Sequence, residues 1–162
     1  MKIVTDSCSD LTADILERYD IKLVPLSVVI ANVVYRDFVE LDQTRLFDLV
    51  ASTHELPKTS APTVAEYAAA FEGDEPVLCI TISSKLSASY QNALLAAEMM
   101  PKGQVKVVDS LNLSTGIGHL AVRAAELRSA GWDRDAIAAD LAACVPNLYT
   151  SFVLDTLEYL YK

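Results

Sequence analysis

Short apolar runs alternate with segments of helical spacing along most of the chain, and this alternation leaves few architectures open. Lys2 to Thr5, Pro76 to Ile82 and Gln104 to Val108 each read as a buried strand that breaks into a polar loop. Helical patterns follow: Leu11, Ile15 and Leu16; then about Ser87 to Met100; then Gly116 to Arg128. Further helices are expected after Asp42, from the capping box Thr63-Val64-Ala65-Glu66 to about Phe71, and from Asp133 to about Cys144. Lys22 to Ile30 and Val33 to Arg36 are β-branched runs around Ala31-Asn32, a hairpin or a bent edge strand. Asn147 to Leu154 reads as a returning strand, and Asp155 as the cap of a last helix. Strands separated by helices of this length require right-handed crossovers. The expected fold is therefore α/β, a three-layer sandwich around a mainly parallel sheet.

Size and composition fit one such domain. The 162 residues are 52% hydrophobic with five Gly and six Pro, which fills a core and excludes low-complexity classes. A chain of this length buries about 70% of its unfolded surface. The net charge is −9, from 13 Lys and Arg against 22 Asp and Glu. That balance supplies no basic stripe for nucleic acid and no electrostatic membrane anchor. The longest apolar region, Leu23 to Tyr35, is interrupted by Pro25, Ser27 and Asn32 and is too short to span a bilayer. Cys8, Cys79 and Cys144 form no C-x-x-C, and Cys79 and Cys144 read as small buried hydrophobes. With no charged-then-apolar leader at Met1, the expectation is a soluble protein of the reducing cytoplasm.

The chemistry is concentrated in four polar segments: Thr5 to Asp10, Thr59 to Thr63, Ser83 to Ser89, and Asp109 to Thr115. Loops that follow parallel strands gather along the carboxyl edge of the sheet, where ligands bind. These are rich in Ser and Thr and poor in His, Cys and Lys. Hydroxyls and helix N-terminal amides donate to a carboxylate or phosphate without attacking it. Each loop taken alone is better explained by capping and turn formation.

Enzyme templates fit less well. His54 and His119 are the only histidines; His54 is expected on the surface and His119 packed or solvated. Cys8 stands in the first loop with no evident base. Asp6 follows the first strand but lacks the second acid of D-x-D, because Cys8 occupies that position. A small hydrolase or phosphotransferase built on the Asp6 and Asp109 loops is the alternative class. A third is a nucleotide-binding module on Gly116-Ile117-Gly118-His119-Leu120-Ala121, which matches G-x-G-x-x-A. Its strand ends several residues early, and glycines that admit close helix packing explain the pattern as well.

Taken together the segments resemble one family. Val4-Thr5-Asp6-Ser7-Cys8-Ser9-Asp10-Leu11, Val24-Pro25-Leu26, Tyr35-Arg36-Asp37 and Pro57-Lys58-Thr59-Ser60-Ala61-Pro62-Thr63 come first. Ile82 to Ala93, Asp109-Ser110 with Gly116 and Gly118, and Leu157-Glu158-Tyr159-Leu160 complete the ordered set. It is similar to the amino-terminal domain of the DegV family, the fatty-acid-binding proteins of bacterial fatty-acid kinase. The resemblance implies a non-catalytic carrier that needs no cofactor or metal. Its ligand would be a long-chain fatty acid held by its carboxylate on Thr59 and Ser87. Asp6, Ser7, Ser60, Ser84, Ser89, Asp109, Ser110 and Gly116 would order the surrounding loops. The implied partner is a separate fatty-acid kinase that makes acyl-phosphate for phospholipid synthesis.

The resemblance also implies that residues 1–162 are the amino-terminal part of a two-domain protein whose second domain closes the acyl tunnel. Two positions depart from the family pattern. Ala61 stands where T-S-Q-P has glutamine, and Ala88 where L-S-G-T-Y has glycine. Both bear on ligand preference or local backbone geometry.

Overall fold

The structure is a computed structural model that describes residues 1–153. Four strands form the main sheet: β1 (Lys2–Asp6), β2 (Ile21–Val24), β6 (Val77–Thr81) and β7 (Val105–Asp109). Their order is β2-β1-β6-β7 and every pairing is parallel. A smaller antiparallel sheet of order β4-β3-β5 is built from β3 (Ser27–Ile30), β4 (Val33–Arg36) and β5 (Lys58–Ser60). The helices are α1 (Ala13–Arg18), α2 (Gln43–Thr53), α3 (Val64–Phe71), α4 (Ser89–Glu98), α5 (Thr115–Ser129) and α6 (Arg134–Cys144).

The sequence of β6, Val-Leu-Cys-Ile-Thr, does not alternate because both of its faces are covered, and all five residues are buried. Val77 and Cys79 join Val4, Val24, Tyr67, Ala70, Phe71, Ala93 and Ala96 beneath α3 and α4. Leu78 and Ile80 face the other way, with Ile3, Ile21, Val108, Ile117, Leu120, Ile137 and Leu141 under α5 and α6. This is the three-layer α/β sandwich the alternation predicts. Cys79 is fully buried within it. Cys144 departs from expectation: it ends α6 half-buried, at the rim of the core, with its Sγ 3.9 Å from Asp140.

Local signals operate as their chemistry requires. Asp42 and Asp133 accept the Arg45 and Ala136 amides at 2.8 and 2.9 Å. Thr63 and Glu66 close a reciprocal capping box on α3. Ala31 and Asn32 both take positive φ, 49° and 62°, which a two-residue hairpin turn demands. Pro25 and Leu26 divide the Lys22 to Ile30 run, so that β2 stays in the main sheet while β3 leaves for the small one.

Two expectations are corrected. Lys58–Ser60 is a strand, pairing antiparallel with Ser27 to Val29, so the polar segment from Thr59 begins inside the small sheet rather than as a loop. Residues 148–153 are not a strand. Val145–Asn147 instead forms a 3-10 turn containing Pro146. Beyond it, Asn112 Nδ2 captures the Leu148 carbonyl at 2.9 Å and directs the chain across the start of α5. Leu154 and the helix expected from Asp155 lie outside the described residues.

Candidate binding site at the carboxyl edge of the sheet

Asp6 ends β1 with no exposed surface. Its Oδ2 accepts the Ile82 amide at 2.8 Å and the Tyr67 hydroxyl at 3.5 Å. Burial pushes its pKa up to about 6, while the Ile82 and Cys8 amides and the Tyr67 hydroxyl pull the other way. A carboxylate spent on the β6 loop and on α3 is a linchpin between layers. The neighbouring Cys8 thiol is pushed up to about 12, first by burial and then by Asp6, Asp10 and Asp37. It therefore stays protonated and is a poor nucleophile.

Ser7 is buried and joins the two sheets. Its hydroxyl accepts the Leu26 amide at 3.0 Å and donates to Asp37 Oδ2 at 2.7 Å. Burial raises the Asp37 pKa, and the Ser7 hydrogen bond opposes that rise. Replacing Ser7 by Ala orphans the buried Leu26 amide. The expected loss is about 2 kcal/mol in urea unfolding.

Thr59 lies at the centre of β5, exposed, with its backbone opposite Val28. Among the described residues its side chain makes no hydrogen bond, which leaves it free to donate. Ser60 pairs with Ser27 and is also exposed. Beyond them, the Pro62 carbonyl accepts Asn92 Nδ2 at 2.8 Å, tying the approach to α3 to the first turns of α4. Ser87 stands just before α4, half-buried. Its Oγ lies 2.9 Å from Ser89 Oγ and accepts the Ser89 amide at 3.2 Å. Ser89 is fully buried.

The loops after β6 and β7 are joined by Asp109, whose Oδ1 accepts the Ser84 and Leu111 amides at 3.1 and 3.0 Å. Ser84 itself is exposed. Ser110 is buried and its hydroxyl serves Asn112, donating to the carbonyl and accepting from the amide, each at 3.1 Å. Gly116 admits the loop to α5, because a Cβ there would lie 2.6 Å from Thr150 Oγ1. At Gly118 a Cβ would lie 2.8 Å from the Ser9 carbonyl oxygen. Both glycines are therefore accounted for by packing.

His54 is exposed, closing α2 in the left-handed region, and His119 is exposed on α5. Among the described residues no three of His, Cys, Asp and Glu gather as metal ligands would. Among them, too, no helix is long and apolar enough to cross a membrane. Clefts open among Thr12, Asp37, Phe38 and Leu46 and along Leu46, Phe47, Val50, Leu56 and Pro57; neither is lined by Thr59 or Ser87. Sequence reasoning passed over Tyr67 and Asn92. The capping box marks where α3 starts, and no local signal shows that Tyr67 faces the sheet.

Comparison with known proteins places this edge in context. The family model described as "Uncharacterised protein, DegV family" matches residues 1–162. A DegV domain-containing protein of Deinococcus radiodurans is 38% identical over 98% of this chain and 57% of its own length. A DegV family protein of Thermus thermophilus, whose structure was described for its fatty acid binding, superposes with a TM-score of 0.82. The two are 37% identical, over 90% of this chain and 53% of the other. The Streptococcus pneumoniae fatty acid kinase (Fak) B3 protein, solved loaded with linoleic acid, gives 0.77 at 26% identity. That match covers 90% of this chain and 54% of the other. The chain thus spans somewhat more than half the length of the proteins it matches. By the family match over its whole length, it belongs to the DegV family.

Proposed function

We propose that this chain is the amino-terminal part of a longer, two-domain fatty-acid carrier. In that reading Thr59 and Ser87 hold the carboxylate of a long-chain fatty acid, with the remaining loop residues ordering them. The bound acid is presented in the cytoplasm to a separate fatty-acid kinase, which makes the acyl-phosphate. This protein itself performs no chemistry.

The observation that carries the reading is the likeness, over nine-tenths of the chain, to DegV proteins described with fatty acids. The local chemistry supports it. Thr59 offers an unengaged hydroxyl, Ser87 a half-buried one at the start of α4, and neither is beside a base that would make it a nucleophile. Asp6 and Asp109, the residues an enzyme would use, are occupied by backbone amides.

The test is organic extraction of the complete protein, purified undenatured, followed by mass spectrometry. One fatty acid per protein is expected. A Thr59→Ala/Ser87→Ala double variant that still folds should lose about 100-fold or more in affinity, since a hydrogen bond to a charged group contributes about 1.5–3 kcal/mol. An empty protein that also refuses added fatty acids would sink the proposal. Asp6→Asn and assays of hydrolysis would then come next.

A further inference from the structure

The pairing of the small sheet settles which of its faces Thr59 occupies. Thr59 stands opposite Val28, and Val28 opposite Tyr35. Residues directly opposite in antiparallel strands share a face. Val28 is buried and packs with Tyr35, Leu46 and Leu49, so this is the face that α2 covers. Arg36, Lys58 and Ser60 alternate with these residues and belong to the other face, where they set two cations and a hydroxyl beside Val29 and Val34.

On the side of α2 an apolar cleft of about 310 Å³ runs among Leu46, Phe47, Val50, Leu56 and Pro57. Ligand clefts begin at about that size, roughly 300 Å³. Among the described residues no charged side chain lines it. Leu46 belongs both to the small core and to the cleft, which therefore borders the covered face of the sheet. Pro57 precedes Thr59 by two residues, so alternation turns both to one side, with the end of the cleft about 6.6 Å along the chain from Thr59. Phe47 forms the outer wall and is 70% exposed.

We propose that this cleft receives the alkyl chain of the acid whose carboxylate Thr59 holds, and that Phe47 determines how strongly long chains bind. This rests on Thr59 being a carboxylate ligand. An acid held on the Thr59 hydroxyl starts on the α2 side of the sheet, away from Arg36 and Lys58. The cleft among Thr12, Asp37, Phe38 and Leu46 is a poorer host for methylenes, because Asp37 and Asp42 line it. The cleft along Phe47 sets only apolar groups against the chain. Each methylene that leaves water for such a surface tightens binding about fourfold.

The experiment compares hexanoate and palmitate on the complete protein, as wild type and as Phe47→Asp. Hexanoate ends about where the cleft begins, whereas palmitate must run through it. Palmitate is expected to bind about 16-fold more weakly to Phe47→Asp, the equivalent of two methylenes, with hexanoate unchanged within about twofold. Phe47→Leu keeps the wall apolar and is expected to hold palmitate within about threefold of wild type. Undiminished palmitate binding in Phe47→Asp overturns the proposal, and so does an equal loss for both acids.

A second measurement tolerates any loss of stability in the aspartate variant. In Phe47→Trp the added indole fluorescence is expected to be quenched when a stearate brominated at mid-chain binds. An unquenched indole with that acid bound overturns the placement of the chain. Wild type that binds neither hexanoate nor palmitate would instead refute Thr59 as a carboxylate ligand, and this inference with it.

Discussion

The stability difference between wild type and Asp6→Asn is expected to move by about 2.4 kcal/mol in favour of the asparagine variant between pH 4 and pH 7.5. The folded state holds the Asp6 pKa at about 6, against 3.8 for the free group, with burial as the main cause. A raised pKa means that the folded protein binds the proton more tightly than the unfolded chain. The stability Asp6 contributes is therefore complete below pH 3.8 and declines as pH rises, until it is lost above about 6. Asparagine cannot titrate and lacks this slope. It also turns a donor toward amides that now face an acceptor, so the offset at pH 4 can favour either protein. The slope is the prediction. Urea denaturation at several pH values reads it, and parallel stability profiles for the two proteins would show that Asp6 is not desolvated as described.

Gly118→Val is expected to destabilise the fold by about 3 kcal/mol, at the upper end of what overpacking a core costs. The first added carbon would lie 2.8 Å from the Ser9 carbonyl oxygen and 3.0 Å from Leu11 Cδ2. The first of these is backbone, in the turn that follows β1, so α5 must retreat from the sheet. Its fully buried residues, Ile117, Ala121 and Ala124, would lose contact with it. Valine has somewhat better intrinsic helix preference than glycine, a gain of about 0.4 kcal/mol that opposes the clash, so packing decides the sign. A lowered urea midpoint with an unchanged slope is the expected result. Unchanged stability, with loss of a nucleotide-induced thermal shift, would restore the dinucleotide reading of the two glycines.

The elements legible in the sequence are those whose stability comes from burial. The Val77 to Thr81 run is continuous because both faces of β6 are covered, and no other element explains five buried residues in a row. Strand β5 carried no such signal. Lys58, Thr59 and Ser60 are all exposed, and what makes them a strand is backbone pairing with Ser27 to Val29, which side-chain pattern does not record. The opposite error occurred at Asn147 to Leu154. Leu148 packs against the rim of the core, but Tyr149, Phe152 and Val153 are largely exposed, so residues 149–153 form neither a strand nor part of this core.

At the site, the Ser and Thr loops after β1, β6 and β7 were legible as a group because they follow parallel strands of one sheet, whereas Thr59 and Ser60 belong to the second sheet. Their inner structure was not. Whether Tyr67 meets Asp6 depends on how α3 is rotated over the sheet. Whether Asn92 reaches Pro62 depends on where α3 and α4 meet. Both are properties of packing between elements far apart in the chain, and no local pattern encodes them. The same distance hid the fate of Asp109, whose partners belong to two different loops.

The placement of Thr59 on a three-residue edge strand divides the two anchors we propose between a small sheet and the main sandwich, units whose resistance to opening scales with their cores. Thr59 belongs to the small sheet, whose own core consists of Val28, Ile30 and Leu41 with a few half-buried neighbours. Ser87 belongs to the main sandwich, where releasing it would disturb α4 and the strands beneath. A ligand that grips both therefore fastens the yielding part of the molecule to the stiff part. On the proposed anchoring, most of the order gained on binding is expected to fall to the small sheet, whose core is the smaller of the two.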